Sequence, residues 1–424
     1  MIKQPIIVWY SFLVIMMVSL STSSFALSLE EAWKGAEVTA PSYQKSLLGV
    51  KRSEVVVQQY QSNLLPSVQV SASENWSESG GDSNRYGISL SQNIWDSNLW
   101  SELDHAKAQY LQSKLELTQA QNNLALKVIQ AYLDVASAQS SLELAKTKLR
   151  DGKKLHQIIQ ARFLAGKIKS VDVEESNATL LASQNNVLTA KADLLIKHTE
   201  LSSLVNQDFE KVNLIRTNID KPPAMFVEKQ EAWLKLAKDN SPELLVEIQK
   251  VKARKIAKES AETGYYPKVT GSLGYNDSDL QDHGELNAGV SLNLPLDLNG
   301  SMAARVDEAS LNLLMAKQSL REVEINIKKR VMQAYSQVGL NWSQVLVAYE
   351  LVKSREKVLN SKKTLYKAGR LELSDVINAH DRFYEAKNSL QINLNRYWRE
   401  RVNLLNTVGK LDEQAIQLLT MAFQ

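Results

Sequence analysis

Five histidines, His105, His156, His198, His283 and His380, are the first residues to examine for metal or acid–base chemistry, and no two stand at ligand spacing. The chain has no cysteine, which removes thiolate metal sites, catalytic thiols, disulfides and a lipidated N-terminal Cys together. The acid pairs Glu30-Glu31 and Glu174-Glu175 lie on helical patterns, where solvated faces account for them. Neither a Gly-rich phosphate loop nor Gly-x-Ser-x-Gly occurs, so the expectation is a protein without cofactor or metal that is not an enzyme. Two carboxylates keep their interest because of their setting. Asp172 follows Gly166 in Arg-Phe-Leu-Ala-Gly-Lys-Ile-Lys-Ser-Val-Asp-Val, and Asp375 follows Gly369 in Leu-Tyr-Lys-Ala-Gly-Arg-Leu-Glu-Leu-Ser-Asp-Val-Ile-Asn-Ala. Ala165, Gly166, Asp172 and Val173 recur as Ala368, Gly369, Asp375 and Val376, each 203 positions later. A glycine supplies the left-handed residue that stops a helix, and Asp172 or Ser374-Asp375 can cap the next one, so each stretch reads as the tip of a helical hairpin.

The elements that position these tips form one unit written twice. Glu31-Ala32-Trp33 returns as Glu231-Ala232-Trp233, Leu65-Pro66-Ser67-Val68 as Tyr266-Pro267-Lys268-Val269, and Gln130-Ala131-Tyr132 as Gln333-Ala334-Tyr335. Matches that keep order and spacing over this distance indicate a tandem duplication. The expected division is a first repeat over 27–205, a linker over 206–226 containing Lys221-Pro222-Pro223, a second repeat over 227–408 and a tail over 409–424. Each repeat opens with a helical pattern reset at a proline, Pro41 or Pro242.

The hydrophobic period then changes from about 3.6 to 2. Across 66–95, Val68, Val70 and Ala72, then Tyr86, Ile88 and Leu90, alternate with Ser, Gln, Asn and Gly around a Gly80-Gly81-Asp82 turn. Across 267–295, Val269, Leu273 and Tyr275, then Leu286, Val290 and Leu292, do the same around 277–284. A half-buried soluble sheet would carry Lys and Glu on its wet face, whereas this polar face is nearly uncharged. It fits a transmembrane β-barrel wall, with Trp76, Tyr86, Trp95, Tyr265, Tyr266 and Tyr275 as interfacial girdles. The competing reading is a small soluble sheet capping a helical protein. Four strands cannot close, and lipid does not tolerate an open edge, so the membrane reading requires several chains to share one barrel.

Long helices follow, over 98–164 and 301–367, with return helices over 172–205 and 374–408. At 1.5 Å per residue the outgoing helices reach on the order of 100 Å, far more than an outer membrane's thickness. Their apolar seams alternate in steps of three and four, with one four-four step in each, Leu124 to Val128 and Ile327 to Val331. Residues 1–26 read as a secretory signal, with Lys3, an apolar run over 6–20 and Ser24-Phe25-Ala26 before the cut; the run is shorter than the roughly 20 residues of a spanning helix. Fifty basic against 47 acidic residues leave a formal charge of +3, which argues against a nucleic-acid partner.

A signal peptide followed by two copies of helix, β-hairpin, long helix, Ala-Gly tip and return helix, with Leu65-Pro66 before the first strand, resembles the TolC family of outer-membrane efflux and export ducts. The resemblance covers 27–408 and implies a mainly α fold with a transmembrane β-barrel portion. Three protomers would share a 12-stranded barrel in outer-membrane lipid, continued by an α-helical periplasmic tunnel. It implies a passive channel of a tripartite efflux pump or type I secretion system, working with a periplasmic adaptor and an inner-membrane transporter. By position relative to the tip glycine, Asp375 matches the first residue of an acidic ring and Asn378 stands where the family has a second Asp. Tyr366 matches the gate tyrosine, Asp172 matches its partner on the other hairpin, and Leu371 takes the gate arginine's position with Arg370 one residue earlier. Gly166 and Gly369 mark the adaptor groove. The alternative function is a periplasmic coiled-coil tether with no pore, which has no use for four strands with neutral polar faces.

Overall fold

The structure is a computed structural model that describes residues 26–76, 83–214, 229–279 and 283–423. The expected signal segment up to residue 25, the Gly80-Gly81-Asp82 turn, residues 280–282 and the Lys221-Pro222-Pro223 linker lie outside the described residues.

Two short helices open each repeat and meet at the prolines. In the first, α1 (Leu29–Thr39) gives way to α2 (Pro41–Ser62), with Ser28 and Glu31 forming a capping box on α1. In the second, α5 (Gln230–Asn240) gives way to α6 (Pro242–Glu262). Each proline occupies the first turn of the new helix, where its missing N–H has no partner to lose. The hairpins are β1 (Ser67–Asn75) with β2 (Ser83–Trp95) and β3 (Lys268–Ser278) with β4 (Glu285–Asn293). They join through β2 and β3 into one antiparallel sheet of order β1-β2-β3-β4, leaving β1 and β4 as open edges.

The register sorts the two faces. Val68, Leu90, Leu273 and Ala288 form one cross-strand row, and Val70, Ile88, Tyr275 and Leu286 the next. Gln69, Ser89, Gly274 and Asn287 form a row on the opposite face, as do Ser67, Ser91, Ser272 and Gly289. The apolar rows are bare: Val70 is 77% exposed and Leu286 69%. Apolar rows without a covering layer fit a wall in lipid, because a soluble sheet buries such a face.

Two helices dominate the rest, α3 (Ser97–Leu164) and α7 (Ser301–Lys367), of 68 and 67 residues. Asp96 accepts the Asn98 N–H at 3.0 Å to begin α3, and Asp297 accepts the N–H groups of Met302 and Ala303 at 3.2 and 3.0 Å to begin α7. Their return partners are α4 (Ser170–Val205) and α8 (Leu373–Thr407), and α9 (Glu413–Phe423) follows in the tail. On the membrane side the packing order is α2-α3-α6-α7; toward the tips it is α4-α3-α8-α7. No described helix is long and apolar enough to cross a membrane.

The main core lies where the short helices meet the long ones. Leu124, Val128, Ile327 and Val331, the residues of the two four-four steps, are all buried there with Leu29, Trp33 and Tyr397. Tyr132 ties this core to the segment before α1: its hydroxyl donates to the Leu27 carbonyl at 2.9 Å and accepts the Asn213 N–H at 3.0 Å. Gly409 ends α8 at φ 71°, and a Cβ there would collide with the Asn240 carbonyl oxygen.

Candidate functional site

The two tips share one backbone solution. Gly166 at φ 66° and Gly369 at φ 73° follow their helices in the left-handed region. The Gly166 N–H donates to Phe163 at 2.8 Å and Lys167 to Arg162 at 2.9 Å; Gly369 donates to Tyr366 and Arg370 to Leu365, each at 3.0 Å. These paired bonds close the last carbonyls of α3 and α7. Beyond them the tips diverge. Asp172 accepts the Lys169 N–H at 3.3 Å, as a residue in the first turn of α4 should. Asp375 was expected to cap α8 and does not, because its carboxylate is drawn across the hairpin to the Lys362 ammonium on α7, 2.8 Å away.

Between the tips lies a second, smaller core. Ile159 of the first hairpin is buried with Tyr366, Leu373, Val376 and Ile377 of the second, with Leu155, Ile168 and Val173 packed against them. The Arg162 guanidinium stands 4.6 Å from the centre of the Tyr366 ring. The Tyr366 hydroxyl is buried without a hydrogen-bond partner, so Tyr366 and Asp172 are not bonded to each other. Their hairpins are joined here by apolar packing and by a cation–π contact, which contributes about 0.5–1 kcal/mol at exposed sites. Arg370 and Asn378 are exposed.

Above this core a set of polar contacts links α3 to α8. Tyr384 donates to Asp151 at 2.7 Å, Lys148 pairs with Asp381 at 2.7 Å, and Arg399 pairs with Asp134 at 2.5 Å. The Asn395 amide donates to the Leu133 carbonyl at 2.9 Å, and the Gln130 amide to Asn403 at 3.1 Å. His380 is buried, with its ring 4.8 Å from that of Tyr384 and its Nδ1 3.9 Å from Asp381. His380 and then Lys148 hold the Asp381 carboxyl below its ordinary range against the opposing effect of burial. Burial, followed by Asp151, pushes the Tyr384 hydroxyl well above its ordinary value. Burial also raises Asp134, with Arg399 opposing.

At the far end, all six expected girdle residues are exposed, from Tyr265 at 40% to Trp76 at 73%. Trp76, Tyr86 and Tyr275 stand toward the hairpin turns, and Trp95, Tyr265 and Tyr266 toward the helices. From Tyr86 to Trp95 is on the order of 30 Å along the strand at 3.3 Å per residue. Tilted as barrel strands are, that is a height of roughly 20–25 Å, close to the apolar band of an outer-membrane barrel. Trp100, in the first turn of α3, is likewise 56% exposed.

The family model for outer membrane efflux proteins matches residues 35–207 and again 233–410, once in each repeat. The chain belongs to the outer membrane efflux protein family. It is 23% identical over 414 residues to outer membrane protein TolC of Vibrio cholerae, covering 94% of each chain. It is 24% identical to the alkaline protease secretion protein AprF of Pseudomonas aeruginosa, covering 79% of this chain and 72% of that one. Among solved structures, the fold matches CusC with a TM-score of 0.80 at 15% identity, covering 90% and 92% of the two chains. It also matches VceC of Vibrio cholerae at 0.77 and 14%, covering 90% and 96%. This outer membrane efflux protein is thus a TolC-like tandem duplication, and its apolar sheet face is the part that meets the outer membrane.

For this family member, sequence reasoning located the tips and missed what crosses between them. Lys148 and Asp151 are three residues apart, as are Asp381 and Tyr384. Spacing of that kind puts each pair on one helix face, and it was the available signal. Lys362 and Arg162 carried none, since their partnerships depend on heights that only the folded hairpins fix.

Proposed function

We propose that three copies of this chain close into one passive duct from the periplasm to the exterior, and that its helical tips form a gated entrance. The observation that carries the ring is the order of elements, which has the same sense at every level. First-repeat elements β1, α2 and α4 lie at one edge, and β4 and α7 of the second repeat lie at the other. Joining unlike edges gives a head-to-tail interface that repeats until it closes. Two copies would give an eight-stranded barrel filled by its own side chains, whereas three give twelve strands and room for a lumen.

The helical edges carry matching stripes. Leu181, Leu188 and Leu195 on α4 are 55%, 66% and 67% exposed at seven-residue spacing. On α7, Leu340, Val347, Leu351 and Val358 are exposed along one seam. Counted from the tips, Leu181 and Leu188 stand within about a turn of the heights of Val358 and Leu351. A periplasmic tether without a pore leaves the bare apolar rows of the sheet unexplained.

In this reading Tyr366, Asp172, Asp375, Asn378 and Arg370 border the entrance. The closed state is held by the tip core and the α3–α8 latch, and a periplasmic adaptor docking around Gly166 and Gly369 releases it. An inner-membrane transporter supplies the energy and selects the cargo. The family is named for efflux and two relatives for protease secretion, so a tripartite efflux pump and a type I secretion system are both compatible with this duct. With Asn378 neutral and Asp375 tied to Lys362, a ring of three Asp375 holds cations weakly.

Because the chain has no native cysteine, the tips can be locked cleanly by pairing Ile159→Cys with Leu373→Cys. Dye export by cells that depend on this protein should stop on oxidation and return on reduction. Export that continues with the disulfide formed would contradict a gate at the tips.

A further inference from the structure

The two repeats are covered unequally at the level of their short helices. In the first, α1 buries Leu29, Ala32, Trp33 and Ala36 and packs with α3, α4 and α9. In the second, α5 packs with α6 and α7, buries only Ala237, and leaves Trp233, Leu234 and Leu236 half-buried. Beside α5 is a cavity of about 320 Å³ lined by Leu234, Ala237, Leu244 and Ile327, with Lys238, Lys328 and Glu324 around it. Among the described residues, α5 has no counterpart of the α9 that packs on its twin α1.

The helix that covers α1 has a second apolar face. Ile416 and Leu419 of α9 are buried, while Leu418 and Met421, three residues apart, are each 68% exposed. Asp412 caps α9 by accepting the Ala415 N–H at 3.0 Å, and Glu413 in the first turn lies near Lys34 of α1. The position of α9 decides which α5 it can meet. It packs onto α1, which lies with α4 at the first-repeat edge, whereas α5 lies with α7 at the second-repeat edge. When copies join edge to edge, the free face of one α9 comes beside the next copy's α5.

We propose that Leu418 and Met421 of α9 seat against Leu234 and the cavity beside α5 of the neighbouring copy, so that the C-terminal helices staple the ring at mid-height. The inference rests on the ring described above, and it gives the tail a task that the duct alone does not require. A second copy of this chain is the occupant favoured by the paired apolar faces and by their placement at opposite edges, continuous with the edges that join in the ring.

Double-cysteine variants in the otherwise cysteine-free chain, oxidised in outer-membrane preparations, test it. Leu188→Cys with Leu351→Cys reports the ring itself, and Leu418→Cys with Leu234→Cys reports the staple. Both pairs should give covalent trimers on denaturing gels, and Leu418→Asp should lower the temperature at which the trimer dissociates. Trimers from the first pair with none, or only intrachain links, from the second would overturn the staple and leave the ring standing. If neither pair links chains, the ring fails and the staple with it.

Discussion

Gly369 and Gly166 hold left-handed backbone with nothing within 4 Å of where a Cβ would sit, so a substitution there meets backbone strain and no crowding. Gly369→Ala should therefore cost about 1 kcal/mol of tip stability, in line with the penalty for a side chain in the left-handed region. Hydrogen exchange at the amides of Gly369 and Arg370, whose bonds close the helix, should quicken by roughly fivefold while the main core is unchanged. An unaltered rate would mean that the tip is held by something other than its glycine. These residues were legible because a left-handed residue leaves a signature in residue type. The role of Asp375 was less legible: as a first-turn acid it looked like a cap, and only the folded hairpin put Lys362 within 2.8 Å of it. Tyr366 entered by resemblance as a gate residue. In the structure it is also the last buried position in the α7 seam, after Val352 and Leu359 at seven-residue steps.

Between elements, the contact of α3 with α8 joins the two helical hairpins. The two helices share both buried cores, and polar bonds at Tyr384–Asp151, Lys148–Asp381 and Arg399–Asp134 add to that packing. Tyr384→Phe combined with Lys148→Ala should loosen the latch without unfolding either hairpin. The readout is a higher open probability in single-channel recordings, with an unchanged melting profile. An unchanged open probability would remove the latch from the account. The pH dependence has a defined sign for Asp381. Its folded carboxyl lies below the ordinary value, so its contribution is complete above the ordinary carboxylate range and is lost as pH falls through the depressed value. Openings in the wild type should become more frequent on acidification below roughly pH 4, near the ordinary carboxylate pKa, and Asp381→Asn should weaken that response. At this scale the sequence showed elements more clearly than their partners. Period, proline resets and tip glycines set the helices and strands to within a residue or two, because those signals are local. The α3–α8 joint depends on which faces of two distant helices meet, and no local period encodes that.

For the whole molecule, the sheet decides the architecture. Four strands with apolar rows on one face and Ser, Gly, Asn and Gln rows on the other cannot stand alone in lipid or in water. The duplicated order of elements then gives every level of the protomer the same pair of unlike edges, and the membrane wall continues into about 100 Å of helix by the 1.5 Å rise. The alternation of the strands was readable before folding, since a period of two assigns faces without knowledge of partners. That several chains must share the barrel followed from the strand count, but which edges meet did not, because strand order and helix order appear only in the folded protomer. Planar-bilayer recording of the purified, cross-linked trimer tests whether the ring encloses a gated pore. A closed ring of three copies gives a discrete ion-conducting pore that is largely shut in the wild type and opens when the latch is loosened. A proven trimer that inserts in the bilayer and passes no current, even with Tyr384→Phe and Lys148→Ala in place, would contradict it.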